Sequence, residues 1–164
     1  MKIEVKMTAD DLFRFSMYSA NSGFMGIFNL IFTVGALALL LITWGWVSVY
    51  QKVLLVACAL IFTVLQPALL KVKSKKQAAT VGFSTPIVLD ISDEKIRVEQ
   101  AGVTGDLEWN QIWCALKLKT MYILKVGPTH GYLIPFRSVE GREKEFVELV
   151  KRNLPEKKTK GLKE

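Results

Sequence analysis

Few residues of this chain have the types and spacing that enzyme chemistry requires. Catalysis needs a nucleophile beside a base, two convergent carboxylates, or several metal ligands at a workable spacing. The single histidine, His130, lies in a predicted loop tip without a cysteine or carboxylate beside it. Asp93 and Glu94 fall in a tight turn, where carboxylates commonly serve turn geometry. We therefore predict a protein that is not an enzyme and has no catalytic, cofactor-binding or metal-binding residues.

The two cysteines also indicate structure rather than chemistry. Cys58 lies within a long apolar stretch and Cys114 within a predicted strand. A free cysteine most often behaves as a small buried apolar residue. In the membrane and cytoplasmic locations predicted below, the compartment is reducing. We expect two free thiols and no cofactor.

Two uncharged apolar stretches are the elements around which the rest of the chain is arranged. Neither Phe24–Val49 nor Val53–Leu70 contains a charged residue. Each stretch is long enough to cross a hydrocarbon core of about 30 Å. Both are apolar on every side, whereas a helix at the surface of a soluble protein has a polar face. The sequence therefore predicts a transmembrane hairpin over 24–70, with spans 24–49 and 53–70 and a turn near Ser48–Lys52.

The residues that flank the two stretches fit this hairpin. Aromatic residues cluster near the predicted turn and favour a membrane-interface belt: Trp44, Trp46 and Tyr50. Lysines directly follow the second stretch, which predicts that both termini are cytoplasmic: Lys71, Lys73, Lys75 and Lys76. These lysines either contact anionic lipid headgroups or serve only as topology signals. Pro67, near the end of the second stretch, predicts a tolerated kink.

Small residues in the first stretch suggest close helix packing. Gly26, Gly35, Ala36 and Ala38 would let another helix approach, either within the hairpin or between copies in a homo-oligomer. Neither stretch contains an ionisable residue, although such residues are the expected signature of a transport pathway. This absence counts against a small oligomeric transport or channel subunit, which is the alternative and would need several chains to enclose a pore.

From Pro86 onward the apolar pattern changes to the alternation typical of strands. Six strand-like segments are separated by turn signals, the clearest being the loop Gly127–Gly131. Ser138 is predicted to cap a final helix, with Phe146 on its apolar side and Pro155 at its end. We predict a cytoplasmic β-domain over 86–155.

The N-terminal segment supplies the missing partner of this β-domain. Lys2–Met7 alternates like a strand but has no neighbouring strand in sequence, and Thr8 then begins an interfacial helix or a cytoplasmic extension of the first span, within region 1–23. The six predicted strands also leave an open sheet edge. Pairing the N-terminal strand with that edge gives the strand a partner and covers the edge. The predicted fold class is an α+β membrane protein. A two-helix transmembrane hairpin follows the first strand of a seven-stranded pleckstrin-homology-like β-domain, which a C-terminal helix closes.

The net charge of +7 arises largely beside the predicted membrane and in the tail. Region 71–85 is predicted to be a basic linker, and the lysine-rich segment 156–164 a basic disordered tail that folding does not require. Topology and anionic lipid explain this excess better than nucleic acid does. We expect the lipid bilayer as a partner and no nucleic acid.

The chain resembles the YcxB-like family of bacterial two-pass membrane proteins. The resemblance rests on Leu107–Ile112 and on Tyr132–Arg137, followed by the helix that contains Phe146. The second segment reads Ile134-Pro135-Phe136-Arg137, with phenylalanine where the family commonly has a basic residue. The resemblance implies a bacterial inner-membrane protein with a pleckstrin-homology-like cytoplasmic domain, in a family without a settled biochemical role.

The function that these features favour is an interaction module held at the membrane. The β-domain would bind a protein or lipid headgroups and act as an accessory or regulatory part of a membrane complex. An immunity protein against a membrane-acting toxin is an alternative version. Trp109 is expected to pack into the sheet and Pro135 to end the last strand. Trp109 and Arg137 are also the candidate partner contacts.

Overall fold

The computed structural model of the protein describes residues 1–128, 130–159 and 161–162. The chain forms two compact units. The β-unit consists of Met1–Met7 and the residues from Val81 onward, and the helical unit consists of Thr8–Thr80. The predicted insertion of a helical segment after the first strand is therefore present in the fold.

The described part of the β-unit contains seven strands, which form two antiparallel sheets. The first sheet has the order β1-β2-β3-β4 and the second β5-β6-β7. Their bounds are β1 Lys2–Val5, β2 Ile87–Ile91, β3 Lys95–Gln100, β4 Val103–Glu108, β5 Cys114–Lys117, β6 Met121–Lys125 and β7 Gly131–Pro135. The strand count matches the prediction, and the strands are shorter than the alternating segments because turns take up their ends.

Pairing of β1 with β2 confirms the prediction made for the N-terminal strand. Ile3 lies opposite Leu89 and Val5 opposite Ile87 in an antiparallel register. The alternation of Lys2–Val5 places Ile3 and Val5 in the interior, whereas Lys2 and Glu4 are exposed. This pairing closes the edge of β2 although 81 residues or more separate the two strands in sequence.

The core of the β-unit lies around β6 and the C-terminal helix α6, Glu143–Asn153. All four residues from Met121 to Leu124 are buried, so both faces of β6 are covered. The Tyr122 ring packs against Phe146 of α6, with centroids 5.0 Å apart. Apolar side chains of the strands and of α6 complete this core: Leu89, Ile91, Ile96, Ile134 and Val150.

The start of α6 differs from the prediction. Ser138 does not cap this helix, because it lies in a short 3₁₀ turn over Phe136–Val139. Gly141 follows with a positive φ of 77°, which interrupts helical geometry before α6 begins at Glu143. Arg142 precedes the helix and makes a two-pronged ion pair with Glu145. This ion pair raises the pKa of Arg142 and lowers that of Glu145.

The helical unit contains two long apolar helices joined by a tight turn. Helix α1 spans Ala9–Ala20 and α2 spans Gly23–Ile42. The return helix runs from Val49 to Ala78 and comprises α3 Val49–Leu60, a π-helical segment Ile61–Leu65 and α4 Gln66–Ala78. Helix α2 packs on α3, and α1 packs on α4. Helix α1 is thus a partner of the returning helix.

The turn of the hairpin lies earlier than predicted. Helix α2 ends at Ile42, where the Thr43 hydroxyl donates to the Leu39 carbonyl at 2.6 Å. The second helix begins at Val49, because Ser48 forms a capping box with Gln51. The chain therefore turns over residues 43–48, and the predicted turn at Ser48–Lys52 belongs mostly to the start of α3.

The lysine-rich segment is helical. Lys71–Lys76 continue α4 as far as Ala78, and a short helix α5, Val81–Ser84, follows. Lysine is a good helix former, and contact with α1 supports this extension. The predicted basic linker 71–85 is therefore largely helix.

The chain after α6 is ordered over its described residues. Glu156–Thr159 form a short helix α7, and Thr159 and Leu162 are buried. The prediction of a disordered tail over 156–164 thus differs from the structure over 156–159 and 161–162. The lysine-rich composition gave no indication that its single leucine, Leu162, is buried. The tail residues Lys160, Lys163 and Glu164, and Thr129 in the predicted hairpin loop, lie outside the described residues.

Candidate functional site

Among the described residues, two helices are long and apolar enough to cross a membrane, Gly23–Ile42 and Val49–Ala78. Length and composition alone also fit the core helix of a soluble protein, but such a helix is mostly buried. Only 17% of the most apolar window of the first helix and 6% of that of the second are buried within the chain. The hairpin therefore presents a continuous exposed apolar surface.

The aromatic residues of the predicted belt lie at the turn end of the hairpin. Trp44, Trp46 and Tyr50 are all exposed, and Trp46 retains 94% of its accessible surface. The Lys52 ammonium lies 4.6 Å from the centre of the Trp44 ring, which is the geometry of a cation–π contact. This end of the hairpin combines aromatic rings with one positive charge.

The four predicted lipid-contact lysines lie toward the other end of the returning helix. Lys71, Lys73, Lys75 and Lys76 are all exposed on α4. Tyr50 and Lys71 are separated by 21 residues, which in an α-helix corresponds to about 32 Å. This length is close to the thickness of a hydrocarbon core, about 30 Å.

A polar pair joins the two long helices within the helical unit. Asn29 of α2 is buried, and its side-chain amide donates to the Ala20 carbonyl at 3.2 Å and to the Gln66 side-chain oxygen at 3.5 Å. Gln66 lies directly after the π-helical segment. The contact fixes the pairing of α2 with the returning helix, because an unsatisfied amide in an apolar environment is unfavourable.

Trp109 is a structural residue of the β-unit. Its ring is 8% exposed, and its indole N–H donates to the Ser92 carbonyl at 3.0 Å. It begins a short 3₁₀ turn, Trp109–Gln111, that connects β4 to the approach of β5. The expectation that Trp109 packs into the sheet is confirmed, and its burial leaves little of the ring for the partner contact also predicted for it.

Arg137 lies beside the outer edge of β1. Its guanidinium donates to the Lys6 carbonyl at 2.8 Å, and Arg142 donates to the Lys2 carbonyl at 3.5 Å. Two arginines from the segment after β7 thus satisfy carbonyls at a sheet edge that would otherwise accept another strand. Pro135 ends β7 directly before this segment, as predicted.

Trp113 is the exposed aromatic residue that the sequence analysis missed. It retains 52% of its accessible surface, one residue before β5 begins. Its backbone N–H donates to the Lys125 carbonyl at 2.7 Å, which fixes its position beside the sheet. Trp109 and Trp113 are four residues apart, and the sequence analysis assigned a position only to Trp109.

The remaining candidates for chemistry are dispersed. Cys58 lies in the helical unit and Cys114 in β5, and both are free thiols. His130 lies next to β7 in the loop that follows β6, where its carbonyl accepts from Val126 at 3.0 Å. Within the described ranges, no group of three or more His, Cys, Asp and Glu side chains is arranged to hold a metal ion.

A shallow groove of about 290 Å³ lies between the end of β2 and α6. Asp93 at its rim accepts hydrogen bonds from Arg152 at 3.4 Å and from Asn153 at 3.0 Å. The groove is open, and Asp93 and Arg152 at its rim pair with each other, so it has the character of a surface depression between packed elements.

The comparisons with known proteins identify similarity over part of the β-unit. A family model described as YcxB-like protein matches residues 91–150. The match runs from the last residue of β2 to Val150 in α6 and includes Trp109, Trp113 and Arg137. No curated protein and no solved structure matches the chain significantly. The chain is therefore similar to YcxB-like proteins over this range.

Proposed function

We propose that this chain is a non-enzymatic two-pass protein of the bacterial cytoplasmic membrane, whose β-unit binds a protein partner. The observation that carries the proposal is the exposed apolar surface of the helical hairpin. In water, the exposure of two such helices would be strongly unfavourable, whereas a bilayer covers them without a protein partner. The β-unit is then anchored at a membrane and is placed to act on other membrane proteins.

The distribution of aromatic and basic residues along the hairpin supports this placement. Exposed rings at the turn and exposed lysines near Lys71 are separated by about the thickness of a hydrocarbon core. Aromatic side chains favour the membrane interface, and lysines favour the cytoplasmic side. In this orientation both termini and the β-unit are cytoplasmic, and the lysines lie near anionic lipid headgroups.

The β-unit supports a binding role rather than chemistry. Its sheets of four and three strands and its C-terminal helix have the strand count and helix placement of a pleckstrin-homology module, and we propose that arrangement for it. Trp113 offers a half-exposed aromatic ring beside β5. Aromatic residues are enriched among the residues that dominate protein interfaces. A role as an accessory or regulatory subunit of a membrane complex fits this arrangement.

Cysteine accessibility in intact cells tests the membrane topology. Cys58 and Cys114 are first replaced by alanine, and then Ser48→Cys at the hairpin turn or Lys119→Cys in the β-unit provides one thiol. A membrane-impermeant maleimide should label the Ser48→Cys protein in intact cells and the Lys119→Cys protein only after lysis. Labelling of both proteins before lysis, or of neither, would contradict the proposed topology.

In-cell photo-crosslinking tests the binding role. A photoreactive residue at Trp113 should capture one dominant protein, whereas the same probe at the exposed residue Glu99 of β3 should not. A probe at Lys75 reports separately on lipid. Capture of lipid alone from both Trp113 and Lys75 would contradict a protein partner and would instead favour a lipid-headgroup reader.

A further inference from the structure

The edge of β5 that does not pair with β6 contacts the chain's own C-terminal segment. Strand β6 pairs with β5 on one side, and β5 is the outer strand of its sheet. On the other side, Leu116 and Gly161 form a parallel bridge, and the Lys117 N–H donates to the Gly161 carbonyl at 2.8 Å. Residues of the C-terminal segment thus extend the sheet by a short strand-like contact.

Three side chains of the C-terminal segment anchor it beside this edge. Leu162 is 2% exposed and Thr159 is also buried. The Lys158 ammonium donates to the Ile112 carbonyl at 2.5 Å and lies 3.5 Å from the Asn110 carbonyl. Beside this edge a leucine is thus buried, and two carbonyls accept a basic side chain.

Close approach of the segment to β5 requires glycine at position 161. A Cβ atom at this position would lie 2.6 Å from the Leu116 side chain, 3.1 Å from its Cα atom and 3.2 Å from the Ala115 carbonyl oxygen. A larger residue must therefore displace the end of the Leu116 side chain and shift the segment or the strand. The edge selects a small residue directly before the leucine.

The attachment of the segment is short compared with the pairing inside the sheet. Helix α7 has four residues, and it is separated from α6 by Leu154 and Pro155. Strand β6, in contrast, is buried on both faces and paired along both edges. Local opening is favoured where few backbone hydrogen bonds and few buried contacts hold an element. We therefore expect the segment to open more readily than β6.

We propose that the β5 edge is a docking site for an extended segment of a protein partner and that residues 156–159 and 161–162 are an intramolecular occupant that must leave first. The partner segment has the pattern that this edge already accepts, a basic residue, a small residue three positions later, and a leucine directly after it. Strand addition at a sheet edge supplies backbone hydrogen bonds, and side-chain pockets supply specificity. This inference rests on the proposed function, since it specifies where the protein partner binds.

Hydrogen exchange of the full-length protein in detergent tests whether the segment opens. The Lys117 amide should exchange markedly faster than the Ile123 amide of β6, because only the former depends on the C-terminal segment. Gly161→Val should accelerate exchange at Lys117 and leave Ile123 unchanged. The matched control is Gly105→Val in β4, where a Cβ atom has no neighbour within 4 Å, and it should change neither amide. Exchange of Lys117 and Ile123 at the same rate would overturn the proposal.

Peptide binding tests whether the opened edge is a docking site. The probe is a fluorescent peptide with the sequence of residues 155–164, and its control carries Leu162→Asp. The peptide should bind the full-length Gly161→Val protein at least about tenfold more tightly than the unaltered protein, because an occupied edge lowers the apparent affinity by its open fraction. The control peptide should bind neither protein.

Two further outcomes decide the inference. Faster exchange at Lys117 without peptide binding would overturn it, because the edge would then be open and unable to dock a segment. If Gly161→Val unfolds the protein, Leu162→Ala removes the anchor without a clash, and the same two measurements apply. Capture of a protein partner from Trp113 together with no peptide binding to the opened edge would reject the docking edge but retain the proposed function.

Discussion

At the scale of single residues, burial separates side chains that the sequence presents as equivalent. Trp109 donates a hydrogen bond from inside the β-unit, whereas Trp113 is half exposed. Arg137 contacts a backbone carbonyl of the N-terminal segment. Tryptophan and arginine are common in binding sites, but only their contacts in the folded chain show which of them are structural and which are accessible to a partner.

Replacement of Trp109 tests its structural role. Trp109→Phe removes the hydrogen bond from the buried indole to the Ser92 carbonyl. We expect the free energy of unfolding to fall by about 1 kcal/mol or more. Trp113→Phe is the matched control and should change stability little, because that ring is half exposed. Denaturant unfolding of both variants measures the difference, and equal effects would contradict these assignments.

Asp106, on an exposed face of β3 and β4, makes a pH-dependent contribution to the free energy of unfolding. Hydrogen bonds from Lys95 and then Arg97 hold its pKa below the ordinary value of 3.8. The ionised form is thus favoured in the folded state. The stabilisation is present above the unfolded pKa and is lost as pH falls through the lower folded value.

Asp106→Asn tests this contribution. The variant should be slightly less stable than the unaltered protein at pH 7, and the difference should close as pH falls below about 3.8. Melting temperatures of both proteins between pH 2 and pH 7 measure it. A gap that widens toward low pH would mean that Asp106 is not stabilised as the carboxylate.

At the scale of elements, the largest departures from the sequence predictions lie where an element ends. Helix α2 ends earlier than its apolar stretch, and α4 continues through the lysines. The π-helical segment Ile61–Leu65 directly precedes Gln66-Pro67. Proline lacks a backbone N–H and crowds the carbonyl four residues earlier, and a wider turn relieves that crowding. The proline predicted to kink the span is thus accommodated by a local change of helix type.

Deletion of residues 2–7 tests the inserted arrangement of the fold. Loss of β1 would expose the edge of β2 and remove the buried side chains of Ile3, Val5 and Met7, each of which contributes about 1.5 to 3 kcal/mol. We expect aggregation in detergent and a lower melting temperature. Glu4→Gln, at an exposed position of the same strand, is the control. A deletion variant that stays monodisperse and melts at the unaltered temperature would refute the role of β1.

Substitution of Gly26 tests the close packing at the junction between α1 and α2. A Cβ atom at this position would overlap the Asn21 carbonyl oxygen, whereas a Cβ atom at Gly35 has no neighbour within 4 Å. Gly26→Val should destabilise the helical unit by about 1 to 3 kcal/mol, as overpacking generally does. Gly35→Val should change its stability little. Thermal unfolding in detergent compares the two, and a larger effect at Gly35 would point to contacts between copies.

At the scale of the whole molecule, the charge distribution is proposed to orient the protein in its membrane. Replacement of Lys71, Lys73, Lys75 and Lys76 with glutamine removes the basic residues that directly follow the second apolar stretch. A fraction of the molecules should then insert with the opposite orientation, because basic residues near a span set its topology.

The cysteine labelling described above measures that fraction. With the four glutamines, part of the Lys119→Cys population should react in intact cells. Replacement of Lys117, Lys125, Lys144 and Lys151 with glutamine removes the same charge within the β-unit and should leave the orientation unchanged. Equal behaviour of the two quadruple variants would show that net charge, rather than the position of the lysines, governs the topology.

The sequence by itself determined the elements whose signals are local and repeated. The two uncharged apolar stretches, the alternation of the strands and the unpaired alternation of Lys2–Met7 led to two apolar helices and seven strands, with β1 returning to a sheet edge. These features could be predicted because hydrophobic period and length are properties of the chain itself.

Only the tertiary structure decided which side chains are accessible and where the C-terminal segment lies. The exposure of Trp113 and the burial of Leu162 both depend on contacts between residues distant in sequence. Such contacts have no local period, and a lysine-rich segment with one leucine has the composition of a disordered tail. The contact of Gly161 with the edge of β5 could therefore be identified only from the tertiary structure, because Gly161 and Leu116 are separated by more than 40 residues in sequence.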